Sequence, residues 1–543
     1  MRGGQSLTLL FNRFARREDG SLTIFGLFTF VVVIVLAGIG VDIVRHEQLR
    51  TELQNTLDRA VLAAANLENT IDPKVVVTDY FAKAGLLQYL DDVQAPTTSG
   101  GRRVKATVKA RIPTYFMKFA SVDELVLQSH GTAEQGIADL EIALVLDVSG
   151  SMNDYSRLSN LSQAGNDFAQ IIFDKADPDH VSVSVVPYAT QVSPSATMFD
   201  VLNVPRVHHD SSCVNFGADD FATSTLSFAD EFDPAQTYEH TIHFDPWYWR
   251  TPNTGLGLPV CDPSGANRVL AFSKSLDDVQ SKIQNLVARG NTSIDVGVKW
   301  GLALLDPANA KLSAALAETG EVAPEMTAFP RNWGLGAMKV LVVMTDGQNT
   351  TQFRMPNDYR SGLSDVWMSS TGALSFKVTR RVCSYWYCWW ATEYYNPQSG
   401  SRTSRPSGAY SSWVETTDDT SFAGDNVRLL EWPEVWARMT VETHAYARRQ
   451  GADNYSQYDL WISRTRTGVE GADKDDRLAT ACQAAKDKGV LVFTIGFEAP
   501  DAAAAGLKAC ASSDAHYYDV DGLELADAFA AIATKVTELR LVE

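Results

Sequence analysis

Between Asp19 and Asp42 the chain carries no charged residue, and no other feature limits its fold as strongly. The segment from Gly20 to Val41 includes Ile24-Phe25-Gly26-Leu27-Phe28 and Val31-Val32-Val33-Ile34-Val35-Leu36. An uncharged apolar stretch of about 20 residues is long enough to span a bilayer as a helix. Arg13, Arg16 and Arg17 precede it. The positive-inside rule therefore puts the first residues in the cytoplasm and everything after Asp42 outside. The apolar run is longer than a signal-peptide core, and Gly38-Ile39-Gly40-Val41 is an imperfect cleavage site, so retention as an anchor is expected. Either route exports the bulk of the chain, which makes disulfides permissible. The helix is expected to continue past the membrane, because Leu49, Leu53, Leu57, Val61 and Ala64 form one apolar stripe among charged and amide residues. That stripe has two readings of equal weight, packing on the chain's own first domain or on a partner helix.

A chain of 543 residues exceeds one compact core, so about two to four domains are expected. The net charge of -19 argues against nucleic acid and against a surface held by anionic lipid, since both need basic patches. The six cysteines form no Cys-x-x-Cys pair, which disfavours a zinc ribbon. In an exported chain the simplest pairing is local: Cys213 with Cys261, Cys383 with Cys388, and Cys482 with Cys510. Connectivity is not fixed by sequence alone.

Four regions follow: a cytoplasmic stub (1–19), the transmembrane helix (20–41), a small α+β module of pilin-like size (42–135) and a large domain (139–543). In the module, Lys74-Val75-Val76-Val77, the alternating Val104, Ala106, Val108 and Ala110, and Leu125-Val126-Leu127 read as strands, with Thr97-Thr98-Ser99-Gly100-Gly101 as a turn. In the large domain, short apolar runs (142–146, 181–186, 340–344, 490–495) alternate with helical segments (158–173, 296–305, 477–488, 526–539), and Tyr517-Tyr518 is a further edge. This pattern predicts an α/β fold, a doubly wound, mainly parallel sheet covered on both faces. Two long insertions interrupt it, at about 192–275 and 350–470. Loops of that length are functional or disordered, and their aromatic content argues that parts of them fold.

Asp147-Val148-Ser149-Gly150-Ser151 closes the first strand and offers one carboxylate and two hydroxyls at alternating positions. These are hard oxygen donors of the kind Mg2+ selects. The bland alternative is an ordinary Asp/Ser/Gly turn. Gly290-Asn291-Thr292 precedes a helical run, and Met344-Thr345-Asp346-Gly347 ends another apolar strand. In a parallel α/β sheet, loops at the carboxyl ends of strands meet in one crevice, where Asp147, Ser149, Ser151, Thr292 and Asp346 would converge.

Asp147-x-Ser149-x-Ser151, then Thr292, then Thr345-Asp346-Gly347 resembles the von Willebrand factor type A (vWA) domain. The metal-ion-dependent adhesion site (MIDAS) of that family uses these residue types in this order. The resemblance implies that Ser149, Ser151 and Thr292 ligate the ion directly or nearly so, and that Asp147 and Asp346 act largely through water. Mg2+ is the implied ion, with Mn2+ or Ca2+ as substitutes. The chain also resembles TadG-type proteins of the bacterial tight-adherence (Flp) pilus system. The resemblance rests on the Arg-rich stub, Gly20-Ser21, the membrane helix, Val41-Asp42 and Leu53-Gln54…Leu57-Asp58-Arg59-Ala60. It extends to Cys482…Lys486…Gly489, Phe493-Thr494-Ile495-Gly496-Phe497 and Cys510-Ala511-Ser512-Ser513…Tyr517-Tyr518, but not to the two insertions. One departure is Phe25, which stands where minor pseudopilins of this system carry Glu, so prepilin-peptidase cleavage is not expected.

Other clusters read more plainly. His208, His209, His240 and His243 share one insertion with Asp210, Asp245 and Cys213, and imidazoles suit zinc. A His-x-x-His spacing on uncertain structure is weak, however, and the cysteine is better assigned to a disulfide. Asp473, Asp475 and Asp476 read as helix-capping residues rather than as calcium ligands. A disulfide-closed hairpin tip from Cys383 to Cys388 would display Tyr385, Trp386, Tyr387, Trp389 and Trp390, for glycan or partner recognition or for core packing. No nucleophile is paired with a base, and Ser149 is not in a Gly-x-Ser-x-Gly elbow, so no enzyme activity is expected.

The expected protein is a single-pass component of a bacterial inner membrane, with its bulk in the periplasm. It would bind an acidic side chain of a pilus-assembly or envelope partner through the metal. The alternatives are a surface-exposed adhesin for host or abiotic ligands and a metal-dependent hydrolase.

Overall fold

The computed structural model describes residues 19–66, 71–95, 97–98, 101–136, 139–231, 236–246, 259–262, 264–333, 337–413 and 426–542. The expected stub before Asp19 and the Trp247-Tyr248-Trp249 cluster lie outside the described residues. The chain divides into two compact units, Met1–Ile137 and Ala138–Val542.

The first unit is built on one helix of 47 residues, α1 (Asp19–Ala65). Its first half is apolar and open, with Leu22, Phe25, Leu27, Phe28 and Leu36 all exposed, and it is long and apolar enough to cross a membrane. Its second half is amphipathic. Leu53, Leu57, Val61 and Ala64 are buried in one cluster with Val77 and Phe81 of α2 (Pro73–Lys83) and with Val104, Ala106 and Val108. The stripe therefore packs on the chain's own module, which decides between its two readings. The sheet is antiparallel. β1 (Leu90–Gln94) and β3 (Glu124–Gly136) flank β2 (Gly101–Pro113), and Thr97 and Thr98 turn back onto Arg102 and Gly101. The strand expected at Lys74–Val77 is a helix instead. Asp72 caps it by accepting the Lys74 N–H at 2.8 Å, and Pro73 occupies the first helical position. Cap and proline together outweigh the weak β preference of three valines. Asp42, at the end of the uncharged segment, is buried and accepts the backbone N–H groups of Tyr115, Phe116 and Met117 at 2.7–3.1 Å.

The second unit is organised by a six-stranded sheet. Its strands are β4 (Asp139–Asp147), β5 (Val181–Tyr188), β6 (Leu270–Ser273), β7 (Ala337–Thr345), β8 (Leu491–Phe497) and β9 (Tyr517–Val520). The order is β9-β8-β7-β4-β5-β6. All neighbours are parallel except β6, which closes the edge antiparallel to β5 at the end of the segment expected as an insertion. Every residue of β4 is buried, and its side chains alternate between two cores. Ile142, Leu144 and Leu146 face α3 (Arg157–Lys175), α4 (Leu276–Gln284) and α8 (Glu524–Val542). Ala143 and Val145 face α5 (Ile294–Ala303), α6 (Gly471–Asp487) and α7 (Asp501–Cys510). Strands clad on both sides cannot alternate apolar with polar, which explains the continuous apolar runs. Helix α5 approaches the sheet closely at Gly301, where a Cβ would stand 2.6 Å from Val145.

The described parts of both insertions fold. The first sends Phe199, Phe216, Phe221 and Phe228 into the core beneath α5. The second forms an antiparallel five-stranded sheet from Leu363–Ser369, Leu374–Ser384, Tyr387–Tyr395, Arg402–Thr403 and Val427–Glu431. That sheet shares a core with the helices Trp432–Trp436, Val441–Ala452 and Ser456–Thr465. Disulfides join Cys213 to Cys261, Cys383 to Cys388 and Cys482 to Cys510, the local pairing expected.

Candidate metal centre

Strands β4 and β7 are adjacent and parallel, so Asp147 at the end of one and Asp346 just after the other emerge side by side. Beyond β4 the chain makes a short turn. Ser149 stays extended, and Gly150–Asn153 forms one 3-10 turn that brings Ser151 back beneath Ser149. The two hydroxyls are 3.1 Å apart, and Ser151 Oγ donates to Asp346 Oδ1 at 2.8 Å. Asp147 is fully buried. It accepts the Ser149 N–H at 2.7 Å and the Thr345 hydroxyl at 2.6 Å.

The loop carrying Thr292 is clamped over this turn. Gly150 N–H donates to Gly290 O at 3.0 Å, and Arg289 N–H donates to Val148 O at 2.8 Å. Gly290 adopts φ +82°, and a Cβ there would stand 2.9 Å from Thr190 Oγ1, so the close approach demands glycine. Thr292 is buried, and its hydroxyl lies 3.9 Å from where a Cβ on Gly347 would stand. Four of the five expected residues thus join in one hydrogen-bonded group through Thr345 and the Ser149 backbone, and Thr292 stands beside Asp346-Gly347. The loop is held from behind by Lys474, one turn into α6. This buried ammonium donates to Thr292 O, Ser293 Oγ and Thr350 O at 2.6–2.9 Å. Burial pulls its pKa down to about 8, against the attraction of buried Asp295. Among the three acidic residues near the start of α6, Asp473 completes a capping box with Glu470, while Asp475 accepts from Asn349 Nδ2 at 2.9 Å.

Two residues of the site were not read from the sequence. Arg157, at the start of α3, places Nη1 3.0 Å from Asp346 Oδ2 and Nη2 2.8 Å from Glu498 Oε2. Glu498 follows directly on β8, so its position at the carboxyl end of an apolar run was the available signal. The electrostatics are those of an underneutralised acidic pair. Burial first, and the neighbouring Asp346 second, push the Asp147 carboxyl up to about 7 despite the hydrogen bonds from Thr345 and Ser149. Burial also raises Asp346, opposed by Ser151 and Arg157. Two buried carboxyls that hold protons this strongly, beside two hydroxyls, make a donor set that fits a hard divalent cation.

The Flp pilus-assembly TadE/G-like family matches residues 20–67, the helix α1 and its exit. No curated protein matches the chain. Solved structures of several pilus proteins show some likeness. The vWF domain of the type V pili tip protein Mfa5 from Porphyromonas gingivalis is 14% identical, with 74% of this chain and 96% of that one covered and a TM-score of 0.30. For the pilus adhesin SpaC from Lactobacillus rhamnosus GG the values are 13%, 82%, 33% and 0.30. For the adhesive tip pilin GBS104 from Group B Streptococcus agalactiae they are 13%, 73%, 99% and 0.29. Scores this low define no shared fold, and the architecture rests on the strand order above.

Proposed function

We propose that this chain is a membrane-anchored, metal-dependent protein-binding component of tight-adherence (Flp) pilus assembly, with a vWA-type doubly wound domain carrying a MIDAS. The observation that carries the reading is the hydrogen-bonded group of Ser149, Ser151, Asp346 and Asp147 at the ends of two adjacent parallel strands. The TadE/G-like match at the helix supports the pilus context and the inner-membrane, periplasm-facing placement. Ser149, Ser151 and Thr292 would hold Mg2+, or Mn2+ or Ca2+ in its place, with Asp147 and Asp346 supporting it through water. When bound, the ion supplies an electrophilic position that an acidic side chain of a partner can fill. Arg157 takes up part of the charge of Asp346, which keeps the donor set poor in negative charge and receptive to that carboxylate. The role is binding rather than catalysis.

Site occupancy is tested with Mn2+, followed by electron paramagnetic resonance on the detergent-solubilised chain. Wild type should take up one ion more than Asp147→Ala. Partner capture is then tested by crosslinking in cells, where Asp147→Ala should lose the metal-dependent adduct. Equal Mn2+ uptake by the two proteins would sink the site, and an unchanged adduct would sink its role.

The adhesin reading is favoured by a separate observation. At the disulfide-closed tip between Leu374–Ser384 and Tyr387–Tyr395, Tyr385 and Trp386 are 100% and 99% exposed, with Tyr387 and Trp390 also open. Core packing is therefore not the fate of these rings. Protease accessibility on intact cells separates the two readings, since an adhesin is cut from outside and an assembly component is protected.

A further inference from the structure

The first insertion brings together three side chains that the proposed strand-end site does not use. His208, Asp210 and His243 each offer one ligand atom, all within 4.8 Å of one another. Asp210 Oδ2 lies 3.7 Å from His243 Nδ1 and 3.9 Å from His208 Nδ1. Four ligands at about 2.05 Å from a tetrahedral ion stand about 3.4 Å apart, so these two edges need close by only a few tenths of an ångström.

The tautomers are set by the far nitrogens. His208 Nε2 lies 2.8 Å from Thr241 O, and His243 Nε2 lies 3.3 Å from Trp436 O. A carbonyl only accepts, so each Nε2 carries the hydrogen and each Nδ1 presents a lone pair. Backbone carbonyls on the outer nitrogens are the usual support of metal-binding imidazoles. His243 Nδ1 is buried without a hydrogen-bond partner among the described residues, while His208 Nδ1 accepts the Asp210 N–H at 3.2 Å, a bond that an ion would replace. One unpartnered imidazole lone pair, a second engaged by a single backbone N–H, and a carboxylate therefore converge, a donor arrangement that a cation between them would satisfy. His240 stacks on His208 but is not in the group of converging ligand atoms, and its nitrogens serve Val207 N–H and Ser211 O. Cys213 is closed in its disulfide and offers no thiolate. Asp210 is half exposed and borders an open cleft of about 490 Å³, which gives an ion a way in and leaves a coordination position facing solvent.

We propose that His208, Asp210 and His243 form a second metal site, selective for a borderline transition-metal ion, Zn2+ first, and distinct from the oxygen-lined site at the strand ends. Two nitrogens and one carboxylate prefer Zn2+ over Mg2+. Because His243 is held by Trp436 O, the bound ion would pin the first insertion against the core of the second.

Co2+ is the probe, because its visible bands report nitrogen-containing tetrahedral coordination. The detergent-solubilised full chain is titrated in a large excess of Mg2+, as wild type, Asp147→Ala, Asp210→Asn and His243→Gln. One saturable equivalent, displaced by Zn2+, is expected in wild type and in Asp147→Ala. Asp210→Asn changes a half-exposed side chain and should fold normally while binding at least about tenfold more weakly. His243→Gln, if folded by circular dichroism, should lose the bands. Absence of a saturable equivalent in wild type, equal affinity in Asp210→Asn, or loss of the bands in Asp147→Ala would each overturn the proposal.

Discussion

Replacing Asp147 by Asn should stabilise the metal-free protein above neutral pH, although it destroys the proposed site. The Asp147 carboxyl is raised from 3.8 to about 7, so the folded protein keeps its proton long after the unfolded chain has lost it. A raised carboxyl of this kind lowers stability as pH climbs from the unfolded value to the folded one, and the loss is complete above the folded value. A shift of roughly 3 units corresponds to about 4 kcal/mol at 1.36 kcal/mol per unit. The substitution removes that cost but weakens the acceptor of the Thr345 hydroxyl, at about 1 kcal/mol. The expected net gain for Asp147→Asn is therefore about 3 kcal/mol at pH 8, shrinking to nothing near pH 4. All 12 tryptophans lie in the second unit, so urea titration followed by tryptophan fluorescence reports on that unit alone. The titrations are run with chelator and then with Mn2+, which should raise wild type more than the variant. A variant less stable than wild type at pH 8 without metal, or wild-type stability that is flat between pH 4 and 8, would refute the account of the site as an underneutralised pair.

Arg157→Gln removes the guanidinium that bridges Asp346 and Glu498. It should cost about 2 kcal/mol in chelator and less under saturating Mn2+, read by the same titration. Gly301→Ala places a Cβ 2.6 Å from Val145 and 2.7 Å from Leu341, and should lower the urea midpoint by the equivalent of about 1–3 kcal/mol. Leu57→Ala empties a fully buried position of the first unit. It should cost about 2–5 kcal/mol, seen as faster hydrogen exchange across β2 and β3.

The sheet was legible because β4, β5, β7 and β8 are covered on both faces and so print as unbroken apolar runs. Asp147, Ser149 and Ser151 were legible because they sit within one turn. Thr292 and Asp346 needed the rule that strand ends converge, and in the structure the clamp through Gly290 holds the Thr292 loop against the turn after β4. Arg157 and Glu498 were hidden for a different reason. Each is an ordinary charged residue until the order β8-β7-β4 places the end of β8 beside α3, and strand order is not written in periodicity. At Lys74–Val77 residue preference misled, because the cap at Asp72 lies outside the valine run. In the second insertion only the disulfide-closed tip of the central hairpin was legible, and the remaining strands of its sheet escaped for want of an Asn-Gly or Asp-Gly signal. Its central hairpin turns at Tyr385-Trp386, with Tyr385 at φ +50°.

Lys474 gives the site a mechanical side. The second insertion runs into Glu470, the cap of α6, and Lys474 follows a single helical turn later with its ammonium fixed to Thr292 O and Thr350 O. Tension on the insertion is therefore delivered to the loop that carries Thr292 through this buried tether and through Thr350, whose N–H donates to Thr292 O at 3.1 Å. In the proposed metal site, a pull on the outer sheet would therefore reach the loop that carries an ion ligand, and grip at the strand ends would become a function of load.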